Sequence, residues 1–184
     1  MLVCWGRVSL VGIALTIFGS GDARLTPKIT TEKGFMVVGV SARTSNAKEA
    51  SGEGVIGKQW DRFMKEGLLG KIPDKVDSEI VVVYSDYESD ANGPYDYTIG
   101  AKVNSISKIP PRMVAKKVPA GRYAVFTSEK GFVGKVVPET WSRIWDVPKS
   151  VMGGDRAYQA DFEIYDQRAA DREHAQVDIY VGIK

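Results

Sequence analysis

The chain has 184 residues, of which 43% are apolar, and its formal net charge at pH 7 is +2. This length suits one compact domain or two small halves packed against each other. The positive charge is small and scattered, which argues against direct binding to nucleic acid. One histidine and one cysteine exclude the usual zinc sites and do not favour a Cys–His or Ser–His active site, so we expect neither a metal nor a cofactor.

The N-terminal residues 1–23 have the composition of a signal peptide. Arg7 precedes an apolar stretch at 8–18, and small residues follow up to Ala23. An apolar segment of about ten residues is too short for a membrane span, which needs roughly 20. We therefore expect a cleaved leader and a periplasmic or secreted protein that has no stable membrane span. The alternative is an uncleaved extension, in which case the protein would be cytoplasmic.

Three blocks of the sequence recur in the same order. Trp60 and Tyr84 recur 81 positions later as Trp141 and Tyr165, and an Asp-x-x-x-Gly-x-Lys pattern that begins at Asp96 recurs 82 positions later. Two copies of a small unit must cover each other's apolar faces. The seam between such copies is a natural place for a ligand pocket. The sequence therefore predicts a duplicated unit.

The first unit, at about 27–104, has the pattern strand, helix, strand, strand. Small polar residues predict a loop at 46–54. Apolar side chains at helical spacing predict a helix over 56–64 that ends at Gly67. Runs of β-branched, apolar and aromatic residues predict three strands, at 28–44, 79–87 and 95–103.

The second unit, at about 112–184, repeats this pattern after a linker at 105–112. Helical spacing predicts a helix over 137–145, with Pro138 in its first turn and Pro148 after its end. Strands are predicted at 113–128, with an interruption at 119–121, and at 160–166 and 177–184. The two units together predict an α+β fold of tandem strand-helix-strand-strand units with a ligand cleft between them.

The two copies differ at a position where a carboxylate could carry function. Glu163 shares a strand face with Tyr165, whereas the first copy has Val82 at the matching position. A carboxylate on a covered strand face is costly unless it is paired. Three interpretations follow: Glu163 is an exposed surface residue, it forms an ion pair with Arg143 or Lys184, or it lines a pocket and awaits a cationic ligand.

Aromatic residues favour the pocket interpretation, because aromatic faces and one carboxylate together suit a lipophilic cation. The competing interpretation is a plain core, and the helical spacing of Trp60 and Trp141 favours it for these two residues. The candidate ligand-binding residues are Glu163, Tyr165, Tyr84, Tyr97, Phe126, Trp141 and Trp145.

Four segments, at 113–126, 137–141, 161–166 and 177–183, resemble sequence motifs of one protein family, and they occur in the same order as in that family. They are similar to the GyrI-like, AraC-type effector-binding domains, which include the stand-alone effector-binding proteins of integron gene cassettes. The likeness extends over 27–184. It implies two strand-helix-strand-strand units related by a pseudo-twofold axis, with a cleft that takes lipophilic, often cationic, drugs beside an acidic residue.

The resemblance also implies roles for particular residues. Glu163 and Tyr165 match the glutamate and tyrosine of the family's Phe-Glu-x-Tyr motif. In many relatives this domain follows a DNA-binding helix-turn-helix pair, and the residues before Pro27 do not resemble one. We therefore expect a small-molecule partner and no direct contact with nucleic acid.

Three functions are compatible with these features. The first is a binding protein for a small lipophilic cation, whose charge Glu163 balances. The second is a small hydrolase of strained electrophiles such as cyclopropanoid toxins, with Glu163 as general base and Tyr165 or Tyr97 as donor. The third is a protein-interaction module of the gyrase-inhibitor type. The residues do not indicate the oligomeric state.

Overall fold

The computed structural model describes residues 25–184, which fold into eight antiparallel strands, five α-helices and one short 3-10 helix (Gln167–Ala169). The predicted α+β class is confirmed, whereas the predicted signal peptide lies outside the described residues. No helix in the described part of the chain is long and apolar enough to cross a membrane. The strands are β1 (Lys28–Glu32), β2 (Phe35–Thr44), β3 (Ile80–Ser85), β4 (Tyr95–Val103), β5 (Val114–Val118), β6 (Gly121–Thr127), β7 (Ala160–Tyr165) and β8 (Asp178–Ile183). The helices are α1 (Asn46–Ser51), α2 (Ile56–Lys65), α3 (Leu68–Lys71), α4 (Val133–Trp145) and α5 (Lys149–Met152).

The strands form one sheet in the order β1-β6-β8-β7-β3-β4-β2-β5. The first half contributes β2, β4 and β3, and the second half contributes β6, β8 and β7 in the mirrored order. The two halves therefore meet where β3 pairs with β7, at the centre of the sheet. The exact ends of the repeat units at 27–104 and 112–184 stay a prediction.

A two-stranded ribbon, in which β1 pairs with β6 and β2 pairs with β5, joins the outer edges of the two halves. Glu32 in β1 faces Gly121 in β6, and three residues further on Phe35 in β2 faces Val118 in β5, so one register continues through both pairs. The ribbon breaks at Gly34, where a Cβ atom would lie only 2.9 Å from the backbone nitrogen of Ala120. Each half thus adds one strand to the edge of the other. The predicted strand at 28–44 is consequently two strands, and the predicted interruption near 119–121 is present.

The helices differ from the predicted ones at four points, the first being the short helix α3 directly after the predicted end at Gly67. The predicted loop at 46–54 contains α1, because the Ser45 side chain caps its first turn and Gly52 ends it with a left-handed φ of 81°. Helix α4 begins four residues earlier than predicted, so that Pro138 lies inside the helix and not in its first turn. The N–H of Val133 is satisfied by the carbonyl of Arg172, a residue in a distant loop. A short unpredicted helix, α5, follows Pro148.

Alternation along β7 separates two cores. Phe162 belongs to a cluster made by strand residues alone, together with Val81 and Val83 of β3. The next residue, Glu163, therefore points to the opposite face of the sheet. That face carries the helices, and its core includes Phe63 of α2 and Ile144 of α4. The fold thus places Glu163 between the sheet and the two longest helices.

Candidate ligand-binding cleft

A cleft of about 1590 Å³ lies between the two halves and is lined by residues of both. Pockets for drug-sized ligands are usually about 300–1,000 Å³, so this cleft has room for a bulky ligand. Among residues 25–184, no group of His, Cys, Asp and Glu side chains is arranged to hold a metal ion. The helices contribute Ile56, Gly57, Trp60 and Met64 from α2 and Val137, Pro138, Trp141 and Trp145 from α4.

Glu163 lies in the lining of this cleft, opposite Val82 of β3. Its side chain is 0% exposed, which excludes the surface interpretation. Its Oε1 accepts hydrogen bonds from the Tyr84 hydroxyl at 2.8 Å and from Trp141 Nε1 at 2.5 Å. Its Oε2 accepts a hydrogen bond from the Tyr165 hydroxyl at 2.7 Å. Donors from both halves therefore converge on a single carboxylate.

These partners are hydrogen-bond donors without charge. The hydrogen bonds of Glu163 within residues 25–184 involve neither Arg143 nor Lys184, the two predicted ion-pair partners. Burial raises the pKa of Glu163, and the three hydrogen bonds act in the opposite direction because they stabilise the ionised form. The cleft thus holds a carboxyl group whose ionised form is opposed by burial, is supported by three neutral donors, and has no cation from the described residues beside it.

Asp161 lies on the same strand face as Glu163 but, unlike Glu163, it has a positively charged partner. It is also 0% exposed, but its Oδ2 forms an ion pair with Arg156 and accepts a hydrogen bond from the Tyr87 hydroxyl at 2.7 Å. Its Oδ1 accepts from the backbone N–H of Gly182 at 2.8 Å. Of the two buried carboxylates of β7, Asp161 therefore has an internal countercharge, and Glu163 has none among residues 25–184.

The aromatic walls of the cleft cross from one half to the other. Trp60 of the first half packs on Tyr165 of the second at 4.9 Å between ring centroids, and Trp141 of the second half packs on Tyr84 of the first at 5.1 Å. Trp60 Nε1 donates to the Tyr97 hydroxyl at 2.8 Å. Burial raises the pKa values of Tyr84, Tyr97 and Tyr165 well above the usual one, so these hydroxyls stay protonated. Those of Tyr84 and Tyr165 act as neutral donors to Glu163.

Six of the seven predicted ligand-binding residues lie in the cleft lining. Trp145 is 49% exposed, whereas the other five are partly or fully buried. Phe126 is the exception and requires a correction: it is 1% exposed and packs in the core, outside the lining. The reason is topological, because β6 pairs with β8 and lies beyond it from the central strands. The six are Glu163, Tyr165, Tyr84, Tyr97, Trp141 and Trp145.

The lining also contains residues that were not predicted as ligand-binding residues, among them Trp60, Tyr87, Tyr95 and Arg156. Helical spacing classed Trp60 as core, and it does pack on the core from the cleft side. Asp86 has a left-handed φ of 51°, which ends the strand alternation just before Tyr87. Arg156 lies in an irregular segment before β7, where periodicity carries no signal.

Comparison with known proteins points to one family. The family model described as integron-associated effector binding protein (Cass2) matches residues 28–183. The protein YobU of Bacillus subtilis (strain 168) is 39% identical over 147 residues, which cover 79% of this chain and 90% of YobU. An integron cassette protein from the mobile metagenome of Vibrio cholerae has a TM-score of 0.67 at 28% identity, over 86% of this chain and 96% of that chain. The structure of SAV2435 bound to tetraphenylphosphonium has a TM-score of 0.69 over 86% of this chain and 93% of that chain, and its 16% identity makes this a likeness of fold alone.

Proposed function

We propose, from the premise that this chain belongs to the integron-associated effector-binding protein family, that it binds a small lipophilic cation in the cleft between its two halves. One observation carries the proposal: Glu163 is fully buried, receives three hydrogen bonds, and has no countercharge among the described residues. A buried carboxylate of this kind is costly unless a cation joins it. A ligand that brings a positive charge into the cleft supplies the countercharge of Glu163.

The walls of the cleft favour an organic cation over a metal ion. Trp60, Trp141 and the tyrosines present aromatic faces, which attract cations and bury apolar surface. Apolar burial contributes about 25 cal/mol per Å² before the costs of binding, so a bulky ligand gains affinity from area as well as charge. SAV2435, which shares the fold, was solved with tetraphenylphosphonium, a cation of this class, and this supports the proposal.

The hydrolase alternative uses the same carboxylate as a general base. We rank it second because the hydrogen bonds from Tyr84, Trp141 and Tyr165 occupy lone pairs of Glu163 that a general base needs in order to take a proton from water. Catalytic turnover of a strained electrophile by the wild-type protein, absent in Glu163→Gln, would reverse this order. The gyrase-inhibitor type of interaction remains a third alternative.

Titration of the protein with tetraphenylphosphonium, followed by tryptophan fluorescence, tests the proposal. Trp60, Trp141 and Trp145 line the cleft, so a bound ligand should quench them. We expect saturable quenching in the wild type and at least a tenfold weaker affinity in Glu163→Gln, which corresponds to about 1.4 kcal/mol. Equal affinity in the two proteins would remove Glu163 from the binding site.

Two controls make this result specific. Glu79 also lines the cleft but is only partly buried, so Glu79→Gln removes one negative charge without touching the Glu163 network. We expect it to change the affinity less than twofold. Tetraphenylborate has the shape of tetraphenylphosphonium and the opposite charge, and we expect no saturable quenching by it.

A further inference from the structure

Arg156 is a second charged group in the wall of the cleft, and the proposed cation site gives it no role. Its side chain is 13% exposed and belongs to the cleft lining. The guanidinium carbon lies 6.0 Å from the ring centroid of Trp141, whose indole N–H is bonded to Glu163. A ligand that packs on Trp141 is therefore close to a carboxylate and to a guanidinium at the same time.

The hydrogen-bonding capacity of Arg156 is largely unused. A guanidinium has five N–H donors. Within residues 25–184, the hydrogen bond of this side chain is the one from Nη2 to Asp161 Oδ2, and Nε is buried without any partner. Buried donors without partners are rare in folded proteins, and each one needs a reason. Nη1 also donates to no acceptor among residues 25–184, and it is not buried, so it is the donor that an acceptor on a ligand can reach.

The guanidinium is also held in place. Tyr158 packs under it at 4.4 Å from the ring centroid. Tyr158 has a left-handed φ of 51°, a conformation that costs energy in a residue with a side chain. Asp161 balances the positive charge, so Arg156 does not repel a cationic ligand at full strength. The planar fork is thus oriented before any ligand arrives.

We propose that Arg156 is a second recognition point of the cleft and binds a carboxylate or carbonyl oxygen of the ligand. This inference rests on the proposed cation site at Glu163. The natural ligand is then an amphipathic cation that carries an acceptor at some distance from its positive charge. Asp161, the partner of Arg156, lies two residues from Glu163 along β7, a separation of about 7 Å, which sets the scale of that distance.

The test compares two phosphonium cations of equal length by isothermal titration calorimetry at pH 7.5. Pentyltriphenylphosphonium ends in a methyl group, and (4-carboxybutyl)triphenylphosphonium ends in a carboxylate. The measured quantity is the ratio of their dissociation constants. In the wild type we expect the carboxylate compound to bind at least as tightly as the pentyl compound, because Arg156 outweighs repulsion by Glu163.

Two variants remove the fork without leaving Asp161 as an unpaired charge. Arg156→Met combined with Asp161→Asn replaces the ion pair by neutral side chains of similar size, and Arg156→Lys keeps the charge but loses the planar fork. We expect the double variant to weaken the carboxylate compound at least tenfold and the pentyl compound less than twofold. For Arg156→Lys we expect the carboxylate compound to lose about threefold in affinity relative to the pentyl compound.

The matched control is Arg172→Met, which removes another arginine of the lining, one that is exposed. We expect no change of the ratio. An unchanged ratio in the double variant, or an equal change in Arg172→Met, would show that Arg156 merely balances Asp161 and would overturn the inference.

If Glu163→Gln binds the pentyl compound as tightly as the wild type does, the proposed cation site fails, and the ratio still decides the role of Arg156. If neither compound binds the wild type, both proposals fail.

Discussion

Val82 and Glu163 lie directly opposite each other where β3 pairs with β7. The same two positions correspond in the predicted repeat, 81 residues apart, and they meet where the two halves join at the centre of the sheet. If both of these paired positions carried a carboxylate, the two groups would repel each other, and one of them would stay protonated. A valine on one side and a glutamate on the other place one charge at the centre of the cleft.

Trp141 and Trp60 offer a matched pair for testing the Glu163 network. Each indole packs on a tyrosine of the other half, but Trp141 donates to a carboxylate and Trp60 to a neutral hydroxyl. Hydrogen bonds to charged groups contribute about 1.5–3 kcal/mol and neutral ones about 0.5–1.5 kcal/mol. We expect Trp141→Phe to lower the free energy of unfolding at pH 7 by about 1 kcal/mol more than Trp60→Phe. Urea denaturation measures both, and equal losses would contradict the assigned network.

The stability of the ligand-free protein should depend on pH through Glu163. Burial raises the pKa of this carboxyl in the folded state, so the native protein holds the proton more tightly than the unfolded chain does. The stabilising contribution is complete below the ordinary pKa of 4.5 and is lost as the pH rises through the raised pKa. As the pH rises through this window, we expect the free energy of unfolding of the wild type to fall relative to that of Glu163→Gln, whose side chain does not titrate. Denaturation curves recorded from pH 4 to pH 8 measure that difference.

Cation binding should show the opposite dependence on pH. The ligand pairs with ionised Glu163, so its affinity should rise by up to about tenfold per pH unit below the raised pKa and level off above it. Titrations with tetraphenylphosphonium across the same pH range measure the midpoint. In Glu163→Gln the affinity should be low and flat, and a wild-type curve that is flat as well would contradict this assignment.

The buried pair of Arg156 and Asp161 should be strongly coupled. Removing one partner leaves the other as a buried, unpaired charge, at a cost of about 3–5 kcal/mol. We expect Arg156→Met or Asp161→Asn alone to lower the stability by that amount and the double variant to lose much less than the sum of the two. A double-mutant cycle by urea denaturation gives the coupling energy. Additive losses would mean that the two side chains act independently.

Gly100 is required by a close contact between strands. It faces Gly39 where β4 pairs with β2, and a Cβ atom on Gly100 would lie 2.1 Å from the carbonyl oxygen of Val38. We expect Gly100→Ala to destabilise the protein by at least about 2 kcal/mol, since the backbone must shift. Gly70 in α3 has open space around it, so Gly70→Ala should stabilise the protein by about 0.5–1 kcal/mol. Thermal unfolding of both variants tests the contrast.

Much of the site follows from local sequence patterns. The repeat identifies Trp60 with Trp141 and Tyr84 with Tyr165, and helical or strand periodicity then assigns each residue to a face of its element. Such patterns depend on residues within a few positions of one another, so one sequence is enough to read them. They place Glu163 on the same strand face as Tyr165, as the structure has it.

Other features depend on which segments become neighbours, and local patterns do not contain that information. The ribbon in which β1 pairs with β6 and β5 with β2 joins residues 75 to 97 positions apart. The pairing of β6 with β8 leaves Phe126 outside the cleft lining. The left-handed φ of Asp86 turns Tyr87 out of the strand alternation.

The sequence by itself therefore determined the α+β class, the helices α2 and α4, the strands β3, β4, β7 and β8, and the strand face that carries Glu163, because local periodicity expresses these directly. The tertiary structure alone decided that Asp161 is neutralised and Glu163 is not. The physical reason is that Arg156 reaches Asp161 from an irregular segment, and only the packed fold sets which of two neighbouring carboxylates it meets.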